Sequence, residues 1–147
     1  MEQKKPILMM DEIDGVERLT VRALESEDIM EDFNGEKGFH LYHVCALTEL
    51  LLRQLHKDHP ERGLTEEAIV AISAAASLHD IGKRRVPKGI LNNPGKLSPV
   101  EYDIVKKHAV FGEAIIREHL SDGVDEAWVE YAAQIARSHH ERFDGMG

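Results

Sequence analysis

A chain of 147 residues, 42% apolar and 31% charged, can bury one hydrophobic core and does not have the composition of a disordered protein. Its net charge of −9 excludes a broad basic surface for a DNA or RNA polymer, but not a small phosphodiester met by locally concentrated cations. A single cysteine, Cys45, excludes an internal disulfide and a cysteine-built zinc knuckle, and no apolar stretch is long enough to span a bilayer.

The N-terminus carries Lys4 and Lys5 before the short apolar run Ile7 to Met10. It lacks the long apolar core of a signal peptide, so a cytoplasmic protein is expected. From Gly15 to Phe33, Val16, Leu19, Leu24 and Ile29 recur among acids, which predicts an amphipathic helix with an acidic face, broken at Asn34-Gly35. A second helix is predicted from about Glu36 to His56, with Leu47, Leu50, Leu51 and Leu55 as its apolar stripe and Cys45 as a small packing residue. His59 to Gly63 reads as a connection, with His56 and His59 exposed beside it. Thr65 then caps a third helix, rich in Ala and Ser between Ala71 and Ser77, whose small side chains allow close packing.

A loop punctuated by Gly82, Pro87, Gly89, Pro94 and Gly95 follows. Ser98-Pro99-Val100-Glu101 is a capping box with proline at the first helical position. The helix it opens carries Ile104, Val105, His108, Phe111, Ile115 and Ile116 on one side and ends at Ser121-Asp122-Gly123. His119 in its last turn suits the helix dipole and needs no ligand role. A last helix runs from about Asp125 to His140, with Trp128 and Tyr131 packing on its neighbours. The expected fold is all-α, a bundle of five or so helices. Residues 1–35 form an acidic helical segment and residues 36–147 the domain.

Nine histidines are many for this length, and their placement is informative. His79-Asp80 ends the Ala-rich helix, where a buried charged pair is costly without a partner. His108 lies on an apolar helix face, and taken alone reads as a satisfied core histidine. His139-His140 is a second adjacent pair, and Glu36 and His40 share a helix side at i and i+4. Four segments thus offer imidazole or carboxylate groups where helices meet loops. A nitrogen and oxygen donor set without thiolate favours first-row ions such as iron or manganese over structural zinc, and its size suits two ions or three. Lys83, Arg84, Arg85 and Lys88 put four cations within six residues of an acidic chain. They read either as a solvated loop or, beside His79-Asp80, as a phosphate clamp with Lys83 as its first member.

His79-Asp80-Ile81-Gly82-Lys83, Val86-Pro87, Ile90-Leu91, Pro94-Gly95-Lys96-Leu97, Glu101 and Lys107-His108 occur in order. With His139-His140-Glu141-Arg142, Asp144-Gly145 and Gly147, they resemble the signatures of the HD-GYP family of HD metal-dependent phosphohydrolases. The resemblance covers about residues 36 to 147. It implies a helical domain with a bi- or trinuclear metal centre that hydrolyses cyclic di-GMP through a metal-bridged hydroxide. Position by position, it implies that His40, His79, Asp80, His108, His139 and His140 are metal ligands, with Asp80 bridging and Glu36 serving a third ion. His40 rather than His43 aligns with the first ligand. Lys83 and Asp80 take the catalytic roles and Lys83 meets the substrate phosphate, to which the cationic run adds Arg84 as a second substrate contact. The family continues with Tyr-Pro and further helices that carry another ligand aspartate, so a C-terminally incomplete domain is expected. Two other readings follow: a regulatory module that holds nucleotide or a signalling partner protein without turnover, and an HD phosphohydrolase of another nucleotide.

Overall fold

The computed structural model describes residues 36–120 and 125–146, the side chains of residues 36–39 excepted. The expected acidic helix over residues 15–33, and the domain boundary after residue 35, lie outside the described residues. Within them the fold is all-α, as expected, with no strand.

Helix α1 spans Glu36–Asp58, and a 3-10 turn at Pro60–Arg62 leads through Gly63, whose φ of 66° closes it, to α2 at Glu66–Ala75. Thr65 accepts a hydrogen bond from the Ala68 amide and caps α2 as its sequence predicts. The chain tightens into a 3-10 turn at Ala76–Leu78, passes His79-Asp80, and makes a second 3-10 segment over Ile81–Arg85. The short helix α3, Lys88–Leu91, precedes α4, Pro99–Lys106, which opens on the full Ser98–Glu101 capping box. Helix α5 is His108–His119, and α6 is Glu126–Ser138, capped by Asp125 through the Ala127 amide.

Three predicted elements need correction. The segment after Asp80 is not an open loop: its first part is helical, and Gly82 is buried where it crosses α5. The helix opened by Ser98 does not run unbroken to its end. At Lys107 the backbone amide turns back to Ile104, while the His108 ring takes the Val105 carbonyl, and the chain restarts as α5. On α1 the helix is as predicted, but Leu47, Leu50 and Leu51 are 59%, 64% and 71% exposed. The inner face is instead Leu41, Val44, Cys45, Thr48, Leu52, Leu55 and His56, all half-buried at helical spacing. His56 is thereby half-buried rather than exposed, whereas His59 is exposed. Burial pushes the Cys45 thiol up, which suits a packing residue and not a nucleophile.

The core lies where α2, α5 and α6 meet. It comprises Ala71, Ala75, Leu78, Ile116, Trp128, Val129, Ala132, Ala133 and Ala136, with Tyr131 packed against it. Five of these nine are alanine, so the backbones approach closely and Trp128 supplies the bulk. That approach fixes where the C-terminal ends of α2 and α6 stand relative to the start of α5. Each of those ends carries a histidine.

Candidate metal centre

His79, His108 and His139 each lie at a helix end and use the same local device. The ring Nδ1 of each bonds a main-chain carbonyl three residues earlier: Ala76 at 3.0 Å, Val105 at 2.6 Å and Ala136 at 3.1 Å. A carbonyl oxygen only accepts, so Nδ1 carries the hydrogen and Nε2 is left to face inward. This is the orientation that metal-binding histidines receive from their outer partners.

The three Nε2 atoms converge on Asp80. His79 Nε2 is 3.3 Å from Oδ2, while His108 and His139 Nε2 are 3.4 and 3.6 Å from Oδ1. Lys83 Nζ stands 2.6 Å from Oδ2. The carboxylate therefore has two unlike sides: Oδ2 holds an ammonium, and Oδ1 is buried with no hydrogen-bond partner. Burial alone would push the Asp80 carboxyl up, but interactions with His139, His79 and Lys83 outweigh it and hold the group well below the usual carboxylate range. The His79 imidazole is raised by its contact with Asp80.

The rings extend the cluster. His140 lies with its centroid 4.1 Å from that of His139 and 5.0 Å from that of His108, and burial together with those two neighbours lowers its pKa. On the other side the His40 ring of α1 sits edge-on to His79 at 5.5 Å. His43 is exposed and its ring lies near Tyr42 instead. The structure thus gathers His40, His79, Asp80, His108, His139 and His140 at one end of the bundle. The Glu36 side chain lies outside the described residues. Of the four cations, Lys83 reaches Asp80, Arg85 pairs with Glu118 of α5, and Arg84 and Lys88 are exposed.

These residues fit a divalent ion. Ligand atoms of Asp80, His108, His139 and His140 all lie within 4.8 Å of one another. His108 Nε2 and His139 Nε2 are 3.1 Å apart, and two imidazole lone pairs so close repel unless a proton or a cation lies between them. Neighbouring ligands about 2.1 Å from one ion are roughly 3.0 to 3.4 Å apart, close to the separations around Oδ1. An orphaned carboxylate oxygen facing two inward lone pairs is the arrangement an ion completes.

One positioning feature is legible only in three dimensions. A Cβ on Gly82 would lie 1.8 Å from the His108 carbonyl oxygen and 2.4 Å from the Gly112 amide nitrogen. Gly82 lets the Asp80–Lys83 segment lie against the first turn of α5, which brings Asp80 to His108. The sequence signal is a glycine two residues after Asp80 and another, Gly112, four after His108.

A family model described as HD domain matches residues 39–146. A probable cyclic di-GMP phosphodiesterase of Vibrio cholerae is 33% identical over 138 residues, covering 92% of this chain and 31% of the relative. The cyclic di-GMP phosphodiesterase response regulator RpfG of Xanthomonas campestris is 32% identical over 149 residues, 99% of this chain and 35% of the relative. A 3'3'-cGAMP-specific phosphodiesterase of Vibrio cholerae is 34% identical over 112 residues, 76% of this chain and 19% of the relative. The chain thus spans about a third or less of the length of these relatives.

Proposed function

This chain belongs to the HD domain family, with signatures of the HD-GYP type, and from that we propose that its protein is a metal-dependent phosphodiesterase of cyclic di-GMP. The observation that carries the reading is Asp80, whose two oxygens face separate imidazole groups: His108 and His139 at Oδ1, and His79 at Oδ2. One carboxylate so placed suits a bridge between two ions. In this reading His108, His139 and His140 serve one side, and His79 and His40 the other. Glu36 serves a third ion where one is bound. Nitrogen and oxygen donors without thiolate suit iron or manganese. Such ions supply an activated water and neutralise charge on a phosphodiester.

The chain's own residues supply the rest. The carbonyls of Ala76, Val105 and Ala136 keep the three rings in the binding tautomer. Lys83, 44% exposed at the rim, meets a substrate phosphate, and Arg84 on the same segment adds a second cation. Among the described residues no helix is long and apolar enough to cross a membrane. Under this reading the protein works in the cytoplasm.

A second substrate has support in the relatives named for 3'3'-cGAMP. Incubating the manganese-loaded protein with cyclic di-GMP and 3'3'-cGAMP, and resolving the products by chromatography, separates the two. Faster turnover of cyclic di-GMP, lost in Asp80→Asn, is the expected result. Turnover of 3'3'-cGAMP alone would move the protein to the other substrate. Nucleotide binding, or capture of a signalling partner, without turnover of either would favour a regulatory module.

A further inference from the structure

We infer that Lys83 is a built-in competitor for the second ion: its ammonium holds Asp80 Oδ2, must leave before an ion binds there, and is thereby freed for a phosphate. The inference rests on the two-ion reading above and concerns how that centre fills.

The two oxygens of Asp80 are in opposite states. Oδ1 is buried, lacks a hydrogen-bond partner and faces His108 and His139. Oδ2 carries Lys83 Nζ at 2.6 Å, with His79 Nε2 at 3.3 Å. An ion entering on the Oδ1 side meets no cation already bound to its oxygen. An ion entering on the Oδ2 side must break a short, charge-assisted hydrogen bond. The carboxylate is about 29% exposed and the lysine 44% exposed, so the ammonium can leave toward solvent on its flexible stem. Lys83 comes three residues after Asp80 in a 3-10 segment, where side chains at i and i+3 eclipse. The pairing is therefore set by local geometry, and Gly82 fixes that segment against α5.

Two consequences follow. The sides fill in order, the Oδ1 side first and tightly, the Oδ2 side second and more weakly. The lysine becomes available to substrate only when the second ion is in place, which couples phosphate binding to a complete centre.

The test is titration of the metal-free full chain with Mn2+ alone, followed by calorimetry and by electron paramagnetic resonance for the exchange-coupled pair. Wild type is expected to bind two ions, the second at least ~10-fold more weakly. Lys83→Met removes the ammonium and keeps the stem, so the second step tightens about 10-fold while the first is unchanged, a gain of about 1.4 kcal/mol. Lys83→Gln shifts it in the same direction. In wild type titrated with Zn2+, the Lys83 methylene NMR signals move chiefly with the second equivalent, a readout that needs no variant. Two ions bound with the second step unaltered or weakened in both folded variants, or Lys83 signals that move with the first equivalent, overturn the competition alone. No ion bound by any form overturns the two-ion reading as well.

Discussion

Helices α1 and α6 both deliver histidines to the same cluster, but they are held in different ways. Helix α6 buries Trp128, Val129, Ala132, Ala133 and Ala136, and His139 follows directly from that packed face. Along α1, from residue 40 on, no residue is fully buried, and the outer face exposes Leu47, Leu50 and Leu51. His139 has its Nδ1 tied to a backbone carbonyl and its Nε2 turned to Asp80, whereas His40 touches the cluster through ring packing on His79. His139 is thus positioned by the core, and His40 by a more loosely packed helix. Precision at a metal site comes from the shell behind the ligand.

The comparison is most strongly tested by truncating each helix. Trp128→Ala removes the largest buried side chain and is expected to cost about 3–5 kcal/mol, measured by urea unfolding. Leu50→Ala on the outer face of α1 should stay within about 0.5 kcal/mol. Comparable losses at the two sites would contradict the contrast. Next in size is Gly82→Ala, whose Cβ meets main-chain atoms of α5 that cannot swing aside. Overpacking of this kind costs about 1–3 kcal/mol, and it should also weaken Mn2+ binding by separating Asp80 from His108. Unaltered stability and affinity would mean that the close approach does not position the site. The smallest contrast lies between ligands. His108→Ala should lower affinity for the first Mn2+ by about 100-fold, whereas His40→Ala should leave the first step unchanged and weaken the second by less than about 10-fold. Calorimetry reads both.

Much of this arrangement was legible in the chain, for local reasons. The Ser98–Glu101 box and the Thr65 cap are set by residues three apart, so their predicted positions coincide with the helix starts. The ordered motifs gave the family and gathered the histidines and Asp80 as candidates. The buried face of α1 is not legible in the sequence because the helix has two apolar stripes. Leu47, Leu50 and Leu51 form the more conspicuous one, and the sequence does not say which stripe meets α2. The break at Lys107 leaves no signal in the sequence because the apolar period continues through it, while the His108 ring and the Val105 carbonyl make the turn. The opposition between the two oxygens of Asp80 could not be read at all. It depends on Gly82 lying against His108, twenty-six positions along the chain.

The central claim is that Asp80 and the histidines around it form one metal centre. Elemental analysis of the purified full chain, beside a His79→Ala/Asp80→Ala variant, tests it most directly. Near-stoichiometric iron or manganese in wild type, lost in the folded variant, is the predicted result. Equal metal in both, or none in wild type even after loading with Mn2+, would contradict the account.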